Sequence, residues 1–142
     1  MSNFAAFMKG NKKHRPNELY AATKSLTDEN GVPLLWELRP VTTRENEVIR
    51  DLCTTEVQVP GKPGMYRQRV DTSDYQAKLM AAAVVTPNLN DQELQDSYGV
   101  MSAEELLKEM LDDAGEYTDL ALKVQQISGF TTLAEDVETV KN

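Results

Sequence analysis

From residue 73 onward, signals that start and stop helices recur at short intervals, cutting the second half of the chain into pieces too short to stand alone. Ser73-Asp74-Tyr75-Gln76 reads as a helix start, with Tyr75, Leu79, Ala82 and Ala83 facing inward and Pro87 ending the run. Asn90 reads as the cap of a helix over 91–97, with Glu93 as its reciprocal partner, and Gly99 stops it. Ser102 and Glu105 form the next capping box, ahead of a stripe of Ala103, Leu106, Leu107, Met110 and Leu111. A helix over 116–128 follows, with Tyr117, Leu120, Ala121, Val124 and Ile127 at helical spacing and Gly129 just past its end. Thr132 and Glu135 cap a last short helix that carries Leu133, Val137 and Val140. Helices this short hold only by burying an apolar face. The short links between them predict antiparallel neighbours in a compact bundle.

The first half reads differently. Tyr20, Ala22, Lys24 and Leu26 alternate, Asp28-Glu29-Asn30-Gly31 is a turn, and Leu34, Trp36 and Leu38 alternate again, which predicts a β-hairpin over 18–41. Trp36 is the only tryptophan. It is expected to anchor the hairpin in the core, with a hot spot for a partner as the other reading. Thr42-Thr43-Arg44-Glu45 opens a helix whose stripe is Ile49, Leu52 and Cys53. Residues 56–70 read as irregular, with Pro60-Gly61-Lys62-Pro63-Gly64 as a turn between two extended pieces in a loose second hairpin. The fold class is therefore α+β, mostly α: an N-terminal β-hairpin followed by a compact bundle of short helices. At 142 residues one domain is expected, over 18–142, after a flexible basic segment over 1–17.

In that first segment, Phe4, Phe7 and Met8 fall at i, i+3 and i+4, one face of a short helix that needs a surface to dock on. Charge is uneven along the chain. Lys9, Lys12, Lys13 and Arg15 stand in residues 1–17 without an acid, whereas residues 86–142 carry 3 basic against 13 acidic residues. The whole chain is at −8, and an acidic body repels phosphate backbones, so no nucleic-acid partner is expected. The basic tail reads as solvated, or as contacting an acidic partner or the chain's own acidic half. The longest apolar run, over 79–85, is far shorter than a membrane span, so no membrane partner is expected. No apolar signal core precedes a cleavage site, and a cytoplasmic chain is the default.

Chemistry-bearing residues are sparse. Cys53 and His14 are the only ones of their kinds, so no internal disulfide and no Cys/His zinc pattern is expected. Cys53 lies in an apolar stripe and reads as a small buried hydrophobe. His14 sits in the basic tail, a poor place to hold catalytic geometry. Asp112-Asp113-Ala114-Gly115-Glu116 lacks the alternation of a calcium loop, and reads as solvated charge near a helix start. Arg44, Arg50, Arg67 and Arg69 read as surface cations paired with the acidic half, with a modest basic patch as the other reading. No catalytic residue, metal site or cofactor is expected; the chain reads as a non-enzymatic protein that binds other proteins.

Specific strings carry a resemblance. Pro87-Asn88-Leu89-Asn90-Asp91-Gln92-Glu93-Leu94-Gln95-Asp96-Ser97-Tyr98-Gly99-Val100-Met101, then Ala103-Glu104 and Leu106-Leu107-Lys108, resembles the XkdN-like family of phage tail assembly chaperones. Gly115-Glu116-Tyr117, Lys123-Val124-Gln125 and Gly129-Phe130 agree with it, as do Trp36-Glu37-Leu38 before Pro40-Val41-Thr42 and Val59-Pro60-Gly61-Lys62. The resemblance spans nearly the whole chain. It implies a protein of a long-tailed bacteriophage or prophage that binds the tape-measure protein, keeps it soluble and helps recruit tail-tube protein. It further implies action in the host bacterial cytoplasm and absence from the mature virion. The alternative is a minor structural component of the phage tail. The least securely buried apolar stripes are Phe4, Phe7 and Met8 at one end and Leu133, Val137 and Val140 at the other. These stripes either dock on the chain's own domain, or one of them contacts the tape measure or, in self-association, a neighbouring copy.

Overall fold

The computed structural model describes residues 3–130. Its strands and helices follow in the order β1 (Glu18–Tyr20), β2 (Trp36–Leu38), α1 (Thr43–Leu52), β3 (Thr54–Gln58), β4 (Tyr66–Val70), α2 (Thr72–Ala83), β5 (Val84–Thr86), α3 (Gln92–Tyr98), α4 (Ala103–Met110) and α5 (Ala114–Ile127). The class is α+β and mostly α, with an N-terminal hairpin, as the sequence predicts.

The hairpin is shorter than its alternation suggests. β1 and β2 pair antiparallel through Glu18↔Leu38, Leu19↔Glu37 and Tyr20↔Trp36. The turn beyond them is held by Asp28, whose carboxylate accepts from the backbone N–H of Asn30 at 2.8 Å and of Val32 at 3.0 Å. Gly31 takes φ +80°, the left-handed conformation the turn needs. Trp36 and Leu38 are buried, but Leu34 lies outside the strand and is exposed. Trp36 is thus the core anchor, 2% exposed.

A third strand escaped the sequence reading. The helix expected to run to Pro87 stops after Ala83, and β5 pairs antiparallel with β2 through Glu37↔Thr86 and Leu38↔Val84. Val84-Val85-Thr86 is a β-branched run, which favours strand over helix. β2 therefore lies in the middle of the sheet β1-β2-β5, and Trp36 and Leu38 join the cluster of buried helix residues.

α2 is the central helix, packing against α1, α4 and α5. Its buried residues are Ala77, Leu79, Met80 and Ala83, small enough on one side for close approach. Leu106, Leu107, Leu120 and Val124 from α4 and α5 are fully buried, and each such side chain contributes about 1.5–3 kcal/mol. The inward stripes expected for these two helices are the ones found buried, with Ala103 and Tyr117 half-buried at the margin.

Helix ends follow local chemistry, with small shifts. Thr42 and Glu45 form the complete capping box of α1. Asp71, not Ser73, caps α2, and Asp91, not Asn90, caps α3; each carboxylate accepts the backbone N–H three residues on. Gly99 and Gly129 end α3 and α5 in the left-handed conformation, with paired backbone bonds that close each last turn.

Residues 56–70 are regular rather than loose. β3 and β4 keep five paired positions from Thr54↔Val70 to Gln58↔Tyr66, and among the described residues they pack chiefly on each other. Leu52, expected in the α1 stripe, is exposed, while Ile49 and Cys53 are buried.

Candidate protein-binding surface

α5 is the helix that fastens the first half of the chain to the second. At its N-terminal end the Glu116 carboxylate accepts from the Thr23 hydroxyl at 2.7 Å and from the Lys24 backbone N–H at 2.9 Å. The Lys24 N–H, then the Thr23 hydroxyl, hold the Glu116 carboxyl below the usual carboxylate range. Glu116 is therefore not the merely solvated charge that the acidic string suggests; it holds the 23–25 loop. In mid-helix Lys123 pairs with Glu18 at 3.5 Å. Past the C-terminal end the Ser128 hydroxyl accepts from the Val41 N–H at 2.9 Å. Burial, then the nearby Asp119 and Glu116, raise the Tyr20 phenol above its ordinary value.

The N-terminal segment crosses the same end of the molecule. The Arg15 guanidinium lies 3.3 Å from where a Cβ on Gly129 would stand. Arg15, Pro16, Glu18, Lys123, Gln126 and Ile127 line a shallow cleft there. Upstream, the expected short α-helix is replaced by two 3₁₀ turns, Ala5–Phe7 and Lys9–Asn11, tied by a 2.6 Å bond from the Asn11 amide to the Ala5 carbonyl. Phe4 is 73% exposed, Phe7 85% and Met8 61%. Phe4 and Phe7, three residues apart on such a turn, share one edge. Leu133, Val137 and Val140 lie outside the described residues. The Arg15 side chain beside Gly129 brings the segment that follows Phe4, Phe7 and Met8 against the C-terminal end of α5. Phe130 itself is exposed, a residue the sequence reading passed over.

The remaining candidates resolve into structure. Burial, then a hydrogen bond donated by the thiol to the Asp74 carboxylate at 3.3 Å, push the Cys53 thiol up to about 11. That is the inert, buried cysteine the sequence predicts. His14 is exposed. The four arginines do not pair as expected: among the described residues none of Arg44, Arg50, Arg67 and Arg69 forms an ion pair. Arg50 instead lies 5.9 Å from the centre of the Tyr75 ring, while the Tyr75 hydroxyl donates to Asn46. Lysines make the links across the chain, Lys78 to Glu104 and Lys123 to Glu18. Asp112 and Asp113 are exposed, and no group of three or more potential ligands among the described residues is placed to hold a metal ion. No helix among those residues is long and apolar enough to cross a membrane.

The architecture and the chain's strings agree with one family. The model of the phage XkdN-like tail assembly chaperone proteins matches residues 4–141. The chain belongs to that family. Its similar relatives include the phage-like element PBSX protein XkdN of Bacillus subtilis (strain 168), 25% identical over 116 residues, 82% of this chain and 77% of that protein. Protein YqbN of the same strain, uncharacterized by its name, is 26% identical over 116 residues, 82% of this chain and 76% of that one. The crystal structure of YqbN shares the fold, with a TM-score of 0.76 at 21% identity over 92% of this chain and 99% of the YqbN chain. The family is one of chaperones for phage tail assembly.

Proposed function

We propose that the chain binds the tape-measure protein of its phage or prophage, keeps it soluble, and helps bring tail-tube protein to it. It does so without enzymatic chemistry, in the host cytoplasm, and leaves before the virion is mature. The observation that carries this reading is an apolar triad, Phe4, Phe7 and Met8, held outside a closed core on a segment rich in lysine. A holdase needs apolar surface for its client and surplus charge to keep the complex in solution. The acidic second half of the chain supplies that charge. The contact surface is the N-terminal triad, joined by Leu133, Val137 and Val140. Residues 1–17 act as a basic, flexible segment ahead of a single domain over 18–142.

Co-expression with the tape-measure protein of the same gene cluster, followed by pull-down and a solubility assay, tests this. The tape-measure protein is expected to stay soluble and co-purify only with the intact chain, and a variant lacking residues 1–13 is expected to lose it. A tape-measure protein that stays insoluble and unbound would overturn the proposal. The chain would then be sought in purified particles as a minor tail component.

A further inference from the structure

Among the described residues, the β3–β4 hairpin is an arm that no other strand or helix covers substantially. Its closest packing is strand on strand. Clefts flank its base, one beside Arg50 and Asp51 at the end of α1, the other beside Asp71, Thr72 and Ser73 at the start of α2. A two-stranded hairpin with no third strand or helix against it is marginally stable in water.

The register sorts its side chains by chemistry. Paired positions 55↔69 and 57↔67, continued by the bond from the Val59 N–H to the Met65 carbonyl at 2.9 Å, put Thr55, Val57, Val59, Met65, Arg67 and Arg69 on one face. Glu56, the only acid between residues 54 and 70, falls on the opposite face. The face bearing Arg67 and Arg69 is apolar and cationic with no acid of the two strands on it, and Asp71 lines the cleft at its base together with Arg69. Among the described residues neither Arg67 nor Arg69 has an ion-pair partner, and both are exposed. The other half of the same chain has the opposite character: residues 86–142 hold 13 acids against 3 bases, with Glu93, Asp96, Glu109 and Asp112 exposed on or just after α3 and α4.

We propose that this face of the arm docks on the acidic second half of another copy of the chain. Arg67 and Arg69 meet carboxylates, and Val57, Val59 and Met65 leave water at the centre of the contact. The contact joins two different surfaces, so each copy keeps one free arm and one free acidic half, and copies add head to tail. This contact forms whether or not the tape measure is the client.

Sedimentation of the full chain over a concentration series tests it. The mass is expected to rise above the 15.9 kDa of one chain with concentration at low salt, and to return to it at high salt. Arg67→Glu with Arg69→Glu is expected to weaken association by about tenfold or more. Arg67→Lys with Arg69→Lys keeps the charge and is expected to preserve it. That lysine variant also supplies amines for carbodiimide coupling. In a mixture of isotopically distinct copies, its arm lysines are expected to couple to carboxylates in 86–142 of the other copy. A chain monomeric at every concentration, an association indifferent to the glutamate pair, or arm couplings confined to one copy would each overturn the proposal.

Discussion

Glu45 serves two purposes, and a substitution can separate them. Its carboxylate completes the capping box at the start of α1, and it accepts two parallel bonds from Arg39, Nη1 to Oε1 at 2.9 Å and Nη2 to Oε2 at 2.5 Å. The Arg39 guanidinium, helped by the Thr42 N–H and hydroxyl, holds the Glu45 carboxyl at about 2, against an ordinary 4.5. Unscreened, that difference would be worth about 3 kcal/mol. Both side chains keep 34% of their surface in water, however, and screening brings such a pair to about 1 kcal/mol. The fork geometry puts it at the upper end for exposed pairs. Because the folded pKa is the lower one, this stability is fully present above pH 4.5 and is lost as the pH falls through about 2. Glu45→Gln keeps a side chain able to complete the box and removes only the charge. In thermal melts at pH 7 the variant is expected to unfold about 3 °C below the parent. That gap should narrow below pH 4.5 and close near pH 2. Equal melting temperatures at pH 7, or a gap of the same size at pH 7 and pH 2.5, would refute the reasoning.

Three further outcomes follow from other parts of the fold. Leu107→Ala empties a fully buried position on α4 and is expected to cost about 2–5 kcal/mol, read from urea unfolding; a loss under 1 kcal/mol, roughly, would mean that the core closes over the gap. Cys53 is expected to resist a maleimide at pH 8 in the folded chain and react at once in denaturant, since its thiol is buried and titrates only at about 11; rapid native labelling would contradict this. Glu116→Ala is expected to speed hydrogen exchange at the Lys24 amide while leaving Trp36 fluorescence unchanged, because the carboxylate holds the loop and not the core. Unchanged exchange at Lys24 would show that the loop is held elsewhere.

The sequence made the helices legible and left the links between distant segments hidden, for a physical reason. Apolar spacing is local, so the stripes of α4 and α5 can be read directly, as can the capping box of α1, the Ser102 cap of α4 and the glycine stops at 99 and 129. β5 was missed because Val84-Val85-Thr86 follows a helix without a break, and its strand character depends on the open edge of β2, far off in sequence. Glu116 was misread because its partners, Thr23 and Lys24, are more than ninety residues away. The β3–β4 arm looked irregular because its side chains alternate without a buried face, the one cue that makes a strand visible in sequence. At the candidate surface, the apolar N-terminal triad was visible as a pattern, but not that Arg15 crosses Gly129.

That crossing bears on how a chaperone of this kind holds a client. A mobile apolar segment binds weakly if it is tethered loosely, because ordering it on the client costs entropy at the moment of binding. Here the segment forms two 3₁₀ turns tied by Asn11, and the Arg15 side chain lies beside Gly129 at the end of α5. Residues 12–14 link those turns to Arg15, outside any helix or strand. Lys12 and Lys13 stand there, exposed, with no apolar side chain to bury. Shortening that stretch is therefore expected to weaken client capture by restricting the reach of Phe4, Phe7 and Met8, without altering the melting temperature of the body. Fusing the same apolar residues directly to Arg15 and measuring both quantities decides it. Full capture by the shortened chain would mean that reach is irrelevant and that the triad binds where it now lies.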